Sequence, residues 1–415
     1  MIQKQNNSAS ESSKVVFQEL DSWLRLKIQD FIQQMLEEEV TELLGRAKSQ
    51  RLKAVDSPSG YRNGYGKTRR LTTGCGTVII RRPRVRNLDE RFESRLLPLF
   101  ERRTRQVSEL IPELYLHGLS QGDFDLALRG LLGEGAPLSP ATIARLKARW
   151  QIEYEQWKQI SLRELEVVYL WVDGVYVRAG LEKEKACLLV AVAGLSDGSK
   201  RFVAVEAGFR ESRESWSGLL RDLKRRGLRA PRLVIGDGHL GIWGALREIY
   251  PEASEQRCWN HRIVNIIDKL PKKKQGEGRE LLKQIPFGDS RGEAELRRRQ
   301  FQSWCERNQC RQAAELIEKD WERMVAFYDY PPEHWKHLRT TNVIESPFSS
   351  VRLRTDASRR YKKVENATAL IWKIMMVAEK KFRRLDAPEL LKEVYEGAIY
   401  KDGLRVKDEV EKEAA

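Results

Sequence analysis

Three acidic residues stand where acids are costly. Asp173 interrupts the apolar run from Val167 to Val172 and is followed by Gly174. Asp237 ends the segment Leu233-Val-Ile-Gly236 and is followed by Gly238 and His239. Both segments have the β-branched and aromatic make-up of buried strands. A carboxylate in such a strand needs a neutralising partner, and a divalent cation is a common one. The plainer reading of each is a strand that stops at an Asp-Gly turn. A third acid, Glu345, lies in Thr-Thr-Asn-Val-Ile-Glu-Ser-Pro, residues 340–347, at or near a helix start. Ser349 and Arg352 follow it on the same face at i+4 and i+7. The plainer reading of Glu345 is a capping box, with Asn342 as N-cap and Glu345 at N3.

The elements that must position these acids follow from periodicity. Strands are predicted over 166–173, 185–194, 200–208, 232–237 and 254–259, with helices at Glu214–Arg226, Gly241–Tyr250 and Ile263–Leu270. Short links between the first three strands predict an antiparallel meander, and helix-separated strands predict parallel pairing. The first and fourth strands then adjoin at the sheet centre, which brings Asp173 beside Asp237. Two carboxylates so placed repel each other unless a cation holds both.

This mixed sheet is the pattern of the ribonuclease-H-like fold, so the expected class is α/β. The first part of the catalytic core spans 158–270. An all-helical insertion is expected over 271–336, with helices at Glu293–Cys305 and Gln312–Tyr328. The core resumes over 337–385 in one long basic helix that carries Glu345, Arg352 and Arg354, and a charged tail covers 386–415.

The region before the core is basic. Residues 1–56 are predicted helical, with Phe17, Leu20, Leu24, Ile28, Phe31, Ile32, Met35 and Leu36 on one stripe. Within 57–103, the stretch 57–88 carries Arg62, Lys67, Arg69, Arg70, Arg81, Arg82, Arg84 and Arg86 without one acid, interleaved with Tyr61 and Tyr65. A run of one sign with aromatics suits nucleic-acid contact, on a small hairpin whose clearest strand is Thr77–Ile80. Residues 104–150 read as three helices: Thr104–His117, Gln121–Leu132, and a third opening at Ser139-Pro140 and carrying Arg145, Lys147 and Arg149. The last two resemble a helix-turn-helix that would bind DNA.

Composition agrees. The chain has 415 residues, 75 basic and 60 acidic, a formal charge of +15 and a pI near 9.5, which suits a polyanionic partner. No apolar run approaches the ~18 residues of a spanning helix, and the N-terminus lacks a signal-peptide core. Five cysteines (Cys75, Cys187, Cys258, Cys305 and Cys310) point to a reducing compartment rather than a disulfide framework. No phosphate-binding Gly-x-x-x-x-Gly-Lys loop implies ATP.

Five short segments, in this order, carry a family resemblance: Tyr-Arg-Asn-Gly-Tyr at 61–65, Val-Asp-Gly-Val-Tyr-Val at 172–177, Gly-Asp-Gly-His at 236–239, Cys-Trp-Asn-His at 258–261 and Arg-Thr-Thr-Asn-Val-Ile-Glu-Ser at 339–346. With them the chain resembles bacterial transposases of the IS256 family, related to the Mutator-like transposases. The resemblance implies a DDE recombinase in which Asp173, Asp237 and Glu345 hold two Mg²⁺ ions, with Mn²⁺ able to substitute. The implied chemistry cuts a phosphodiester at the element end to leave a 3′-hydroxyl, which then attacks target DNA. Its partners are double-stranded DNA, as terminal inverted repeats and target, and at least one further copy of the chain, in the bacterial cytoplasm at the nucleoid. A nuclease of the same fold that cuts without joining, and a non-catalytic DNA-binding regulator, are the competing readings.

Two features depart from that pattern or extend it. Pro347 stands where the family often has another residue, which predicts a helix starting one turn late, at Ser346, with Glu345 just outside. Cys258 and His261 match a family motif. Zinc there would need two more ligands, for which Cys305 and Cys310 are the available residue types. Support of the Asp237 strand end is the preferred role. His239 is expected to touch a phosphate or cap a helix.

Overall fold

The computed structural model describes residues 17–51, 60–119, 123–132, 140–180, 185–208, 210–238, 240–358 and 361–406. The chain divides into two units, residues 1–146 and 147–415.

In the first unit, helix α1 (Leu20–Leu44) precedes a hairpin of strands β1 (Tyr61–Thr73) and β2 (Gly76–Arg86). The hairpin turns through Gly74 and Cys75 and is far longer than the short strand expected. The predicted stripe on α1 is only partly core. Leu36 is buried against Leu71, Val78, Ile80 and Leu97, with Ile28 and Ile32 packed alongside, but Phe17 and Phe31 stay exposed. The helix also covers a strand edge. Gln29 accepts the Ile79 N–H, and the Gln33 amide accepts from the Arg81 N–H and donates to the Arg81 carbonyl, each at 2.9 Å. An open edge is thereby occupied. Helices α2 (Arg105–Leu116), α3 (Phe124–Leu132) and the start of α4 (Pro140–Trp157) match the three predicted helices within a few residues. Ser139, where the third helix is expected to open, lies outside the described residues.

The second unit is built on five strands: β3 (Val167–Val177), β4 (Ala186–Leu195), β5 (Lys200–Gly208), β6 (Leu233–Gly236) and β7 (Ser254–Arg257). Their order is β5-β4-β3-β6-β7; the first three are antiparallel, and β6 and β7 run parallel to β3. This is the predicted mixed α/β sheet, with β3 and β6 as central neighbours. The Asp-Gly turn reading of Asp173 is corrected: β3 continues through Gly174 to Val177, and Asp173 pairs with Val190.

Helices α5 (Arg213–Arg225) and α6 (Leu240–Ile249) cover one sheet face, where Trp216, Leu219, Leu220, Trp243 and Leu246 meet Leu170, Val172, Leu189 and Val234. After β7 come α7 (Trp259–Ile267), α8 (Gln275–Gln284), α9 (Arg291–Arg307), α10 (Arg311–Glu318), α11 (Trp321–Val325) and α12 (Pro332–Leu338). The single helix predicted over Gln312–Tyr328 is broken at Asp320, whose φ of 70° leaves the helical region. Its carboxylate there binds Arg257 at 2.7 Å and Arg323 at 2.9 Å.

On the opposite sheet face, Tyr169 Oη lies 2.8 Å from His334 Nδ1, and Trp171 Nε1 donates to the His337 carbonyl at 3.1 Å. Next come α13 (Asn342–Ala357), α14 (Val364–Glu379) and α15 (Pro388–Glu396), then a short ribbon of β8 (Tyr400–Lys401) and β9 (Leu404–Arg405). The long basic helix expected through 385 is thus two helices. Between them Tyr361 leaves the helical path to exchange backbone bonds with the end of β3, donating to Arg178 at 2.9 Å and accepting from Gly180 at 3.0 Å. Among the described residues no helix is long and apolar enough to cross a membrane.

Candidate active site

Side chains alternate faces along a strand. In β3, Leu170 and Val172 belong to the core under α5 and α6, so Tyr169, Trp171 and Asp173 take the other face, toward α12 and α13. Trp171 pairs with Ile235 in β6. Asp173 and Asp237 each follow that pair by two residues, Asp173 still within β3 and Asp237 just past the end of β6. Gly238 follows Asp237 with a φ of 95°, and the Cys258 N–H ties the strand end down by donating to the Gly236 carbonyl at 2.7 Å.

Glu345 reaches this face from α13. The late start expected from Pro347 does not occur: α13 begins at Asn342, with Thr341 as N-cap, Glu345 in the first turn and Pro347 inside the helix. The capping-box reading is corrected as well. Asn342 is the first helical residue rather than the cap, and its side-chain oxygen accepts from Asn260 at 3.0 Å. The Glu345 carboxylate instead takes the Thr341 hydroxyl, and its Oε1 lies 3.8 Å from His261 Nδ1.

Charge links the group. Asp173 is 7% exposed. Its carboxyl is pushed up to about 7, first by burial and then by the Asp237 carboxylate, against the opposing Gly174 N–H and His261. His261 is pushed up to about 9, first by its hydrogen bond with Cys258, against burial, with further help from the Asp173 and Glu345 charges. Asp173, Asp237, His261, Cys258 and Glu345 therefore form one electrostatic set. His239 lies outside the described residues.

Three carboxylates offer the hard oxygen donors that Mg²⁺ takes. A divalent cation between Asp173 and Asp237 would also remove the repulsion that raises the Asp173 carboxyl. Among the described residues, the ligand atoms that come within 4.8 Å of one another as a group are those of Cys258, His261 and Glu345; Asp173 and Asp237 are not part of it, and Glu345 is linked to Asp173 through the charge of His261. Cys305, on α9, and Cys310, at the start of α10, are not part of that group.

Two residues of the site carry no distinguishing signal in the sequence. Thr341 is wholly buried between Cys258 and Glu345. Glu211, 7% exposed, lies just before α5, and its charge also raises the Asp173 carboxyl. A Cβ added at Gly174 would stand 2.5 Å from Glu211 Oε1, so the glycine makes room for this acid. In the sequence Glu211 reads as an ordinary acid beside the Ser212 helix cap.

The basic residues divide. Lys67, Arg70, Arg81, Arg84, Arg86, Arg145, Arg149 and Arg352 are exposed, and Lys147 is half-buried. Arg62 is tied to Glu37 at 3.0 Å and Thr41 at 2.6 Å, Arg69 to the Pro98 carbonyl at 3.2 Å, and Arg82 to the Phe92 carbonyl at 3.3 Å. Arg354 is 3% exposed and has little surface to offer a phosphate.

A family model described as "Transposase, Mutator family" matches residues 1–384. The chain is 42% identical over 297 residues to the transposase for insertion sequence element IS6120 of Mycolicibacterium smegmatis, covering 72% of this chain and 92% of that one. It is 40% identical over 280 residues to the transposase for IST2 of Acidithiobacillus ferrooxidans, covering 67% and 94%. It is 26% identical over 347 residues to the transposase for IS256 in transposon Tn4001 of Staphylococcus aureus, covering 83% and 86%. The resemblance read from the five short segments is borne out: this chain belongs to the Mutator family of transposases.

Proposed function

We propose that this transposase is a DDE enzyme on a ribonuclease-H-like core, in which Asp173, Asp237 and Glu345 jointly bind two Mg²⁺ ions, or Mn²⁺ in their place. The observation that supports this reading is the parallel β3–β6 pairing, which ends two residues short of Asp173 and Asp237, together with the Asp237 charge that raises the Asp173 carboxyl. Ions so held supply Lewis-acid stabilisation and activate the attacking oxygen at a phosphodiester. The protein's part is to present the three carboxylates from fixed elements. It buries Asp173 so that the pair is costly without a cation, and it anchors Glu345 through Thr341. His261 faces both Asp173 and Glu345 as the nearby positive charge.

In this reading the enzyme binds the terminal inverted repeats as double-stranded DNA, cuts at the element ends and joins the 3′-hydroxyl ends to target DNA. The exposed basic residues of the β1–β2 hairpin and of α4 carry the phosphate contacts, and α3 and α4 form the helix-turn-helix. Two ends must be held together, so the working form is a dimer or larger, in the cytoplasm on nucleoid DNA. The test is a strand-transfer assay with pre-cut element ends and Mg²⁺. Joined product supports a transposase of this mechanism. Cutting of uncut ends without any joining would instead identify a nuclease of the same architecture, and DNA binding with neither step a regulator.

A further inference from the structure

The Thr341 hydroxyl sits at the point on which three functional side chains converge. Its Oγ1 lies 3.2 Å from Cys258 Sγ and 3.5 Å from His261 Nδ1, and it donates to Glu345 Oε1. The residue is wholly buried. Its backbone is held as firmly: its N–H meets Cys258 Sγ at 3.3 Å, and its carbonyl accepts from the Ile344 N–H at 2.9 Å and the Glu345 N–H at 3.0 Å.

Proton counting gives the array a direction. A threonine hydroxyl has one proton to donate and two lone pairs. A carboxylate is the strongest acceptor of the three neighbours, so the proton goes to Glu345. Cys258 Sγ accepts from the Thr341 N–H and is the other acceptor within reach of the hydroxyl, which leaves His261 Nδ1 as the group placed to donate to Thr341 Oγ1. The chain runs from α7, through the cap of α13, to the third acid. We propose that Thr341 is a positioning residue for Glu345: its hydroxyl fixes the carboxylate that completes the metal site by tying it to Cys258 and His261. The proposal rests on the reading of Glu345 as a metal-binding acid.

The same geometry argues against a separate metal held by Cys258, His261 and Glu345. Their ligand atoms lie within 4.8 Å of one another, but the threonine oxygen already occupies the place between them. An ion there would have to displace a buried hydroxyl that touches all three.

The test compares Thr341→Val, which keeps the shape and removes the hydroxyl, with Thr341→Ser, which keeps the hydroxyl. Cleavage of element-end DNA by the full chain is followed across a Mg²⁺ titration, beside Glu345→Gln. Thr341→Val should need more Mg²⁺ for half-maximal rate and lose about 10–100-fold in activity, the usual cost of removing a group that orients a metal ligand. Thr341→Ser should restore most of both. If the valine variant does not fold, Thr341→Ala against Thr341→Ser makes the same comparison. A lower melting temperature with an unchanged Mg²⁺ requirement would reduce Thr341 to a packing role and overturn the proposal. So would a serine variant as impaired as the valine one, or one zinc bound per wild-type chain. If Glu345→Gln itself keeps Mg²⁺-dependent cleavage, the reading of the site fails; if it is inactive while Thr341→Val matches wild type, only the positioning role fails.

Discussion

Asp173 lies in β3 and Asp237 just past the end of its parallel neighbour β6, and after burial the charge of Asp237 is the largest influence raising the Asp173 carboxyl to about 7. In the metal-free protein this pair costs stability. The folded state holds the Asp173 proton to about pH 7, whereas an unfolded chain releases it near 3.8. Stability should therefore be unpenalised below about pH 4 and fall as pH rises toward 7, by on the order of a few kcal/mol. Asp173→Asn removes the ionisation, so its melting temperature relative to wild type should climb between pH 4 and 7 and level off above. A difference independent of pH in chelator-treated protein would contradict the coupling.

Gly174 and Glu211 form a second linked pair. Gly174→Ala places a methyl group against the Glu211 carboxylate and should cost about 1–3 kcal/mol, as overpacking does. Glu211→Ala should relieve much of that loss, which denaturant unfolding of the two single variants and the double variant measures. Additive losses would mean that the two side chains do not meet.

Much of this architecture is legible in the sequence because its signals are local. The strand and helix order follows from apolar runs and their links, and the β3–β6 adjacency follows from that order. What is not legible depends on distant partners. The break at Asp320 follows from Arg257 and Arg323, the break before α14 from the pairing of Tyr361 with the end of β3, and the burial of Glu211 from the gap over Gly174. Pro347 reads as a helix breaker and so hides the true start of α13. Thr341 in fact holds the helix entrance through its carbonyl and, with Cys258, from outside the helix.

His261 lies between Asp173 and Glu345 in charge, and its side chain is 40% exposed, so His261→Ala should leave the fold intact. Cleavage should nevertheless fall by about 10–100-fold, and Cys258→Ser should also reduce it. Purified wild-type protein should contain no stoichiometric zinc by elemental analysis. One zinc per chain, lost in both variants, would make this a structural metal centre.

The hairpin arginines should separate into two classes. Neutralising exposed Lys67, Arg84 or Arg86 should lower the log–log salt dependence of DNA affinity by about 0.9 for each phosphate no longer neutralised. Arg62→Ala should mainly destabilise the first unit, because its guanidinium is spent on Glu37 and Thr41. Arg352→Ala and Arg354→Ala should differ in the same sense, the first weakening DNA binding and the second folding. Binding titrations at several salt concentrations, with melting curves, check both pairs.

The most direct measurement is Mg²⁺-dependent cutting and joining of element-end DNA by Asp173→Asn, Asp237→Asn and Glu345→Gln. Each keeps the shape and removes a charge the ions require. All three should lose both steps while binding terminal DNA as wild type does, and in the wild-type enzyme Mn²⁺ should replace Mg²⁺ whereas Ca²⁺ should support neither step well. Near-normal Mg²⁺-dependent cleavage by Glu345→Gln would contradict the account, because the acid anchored by Thr341 would then be a helix-start residue and the third ligand would lie elsewhere.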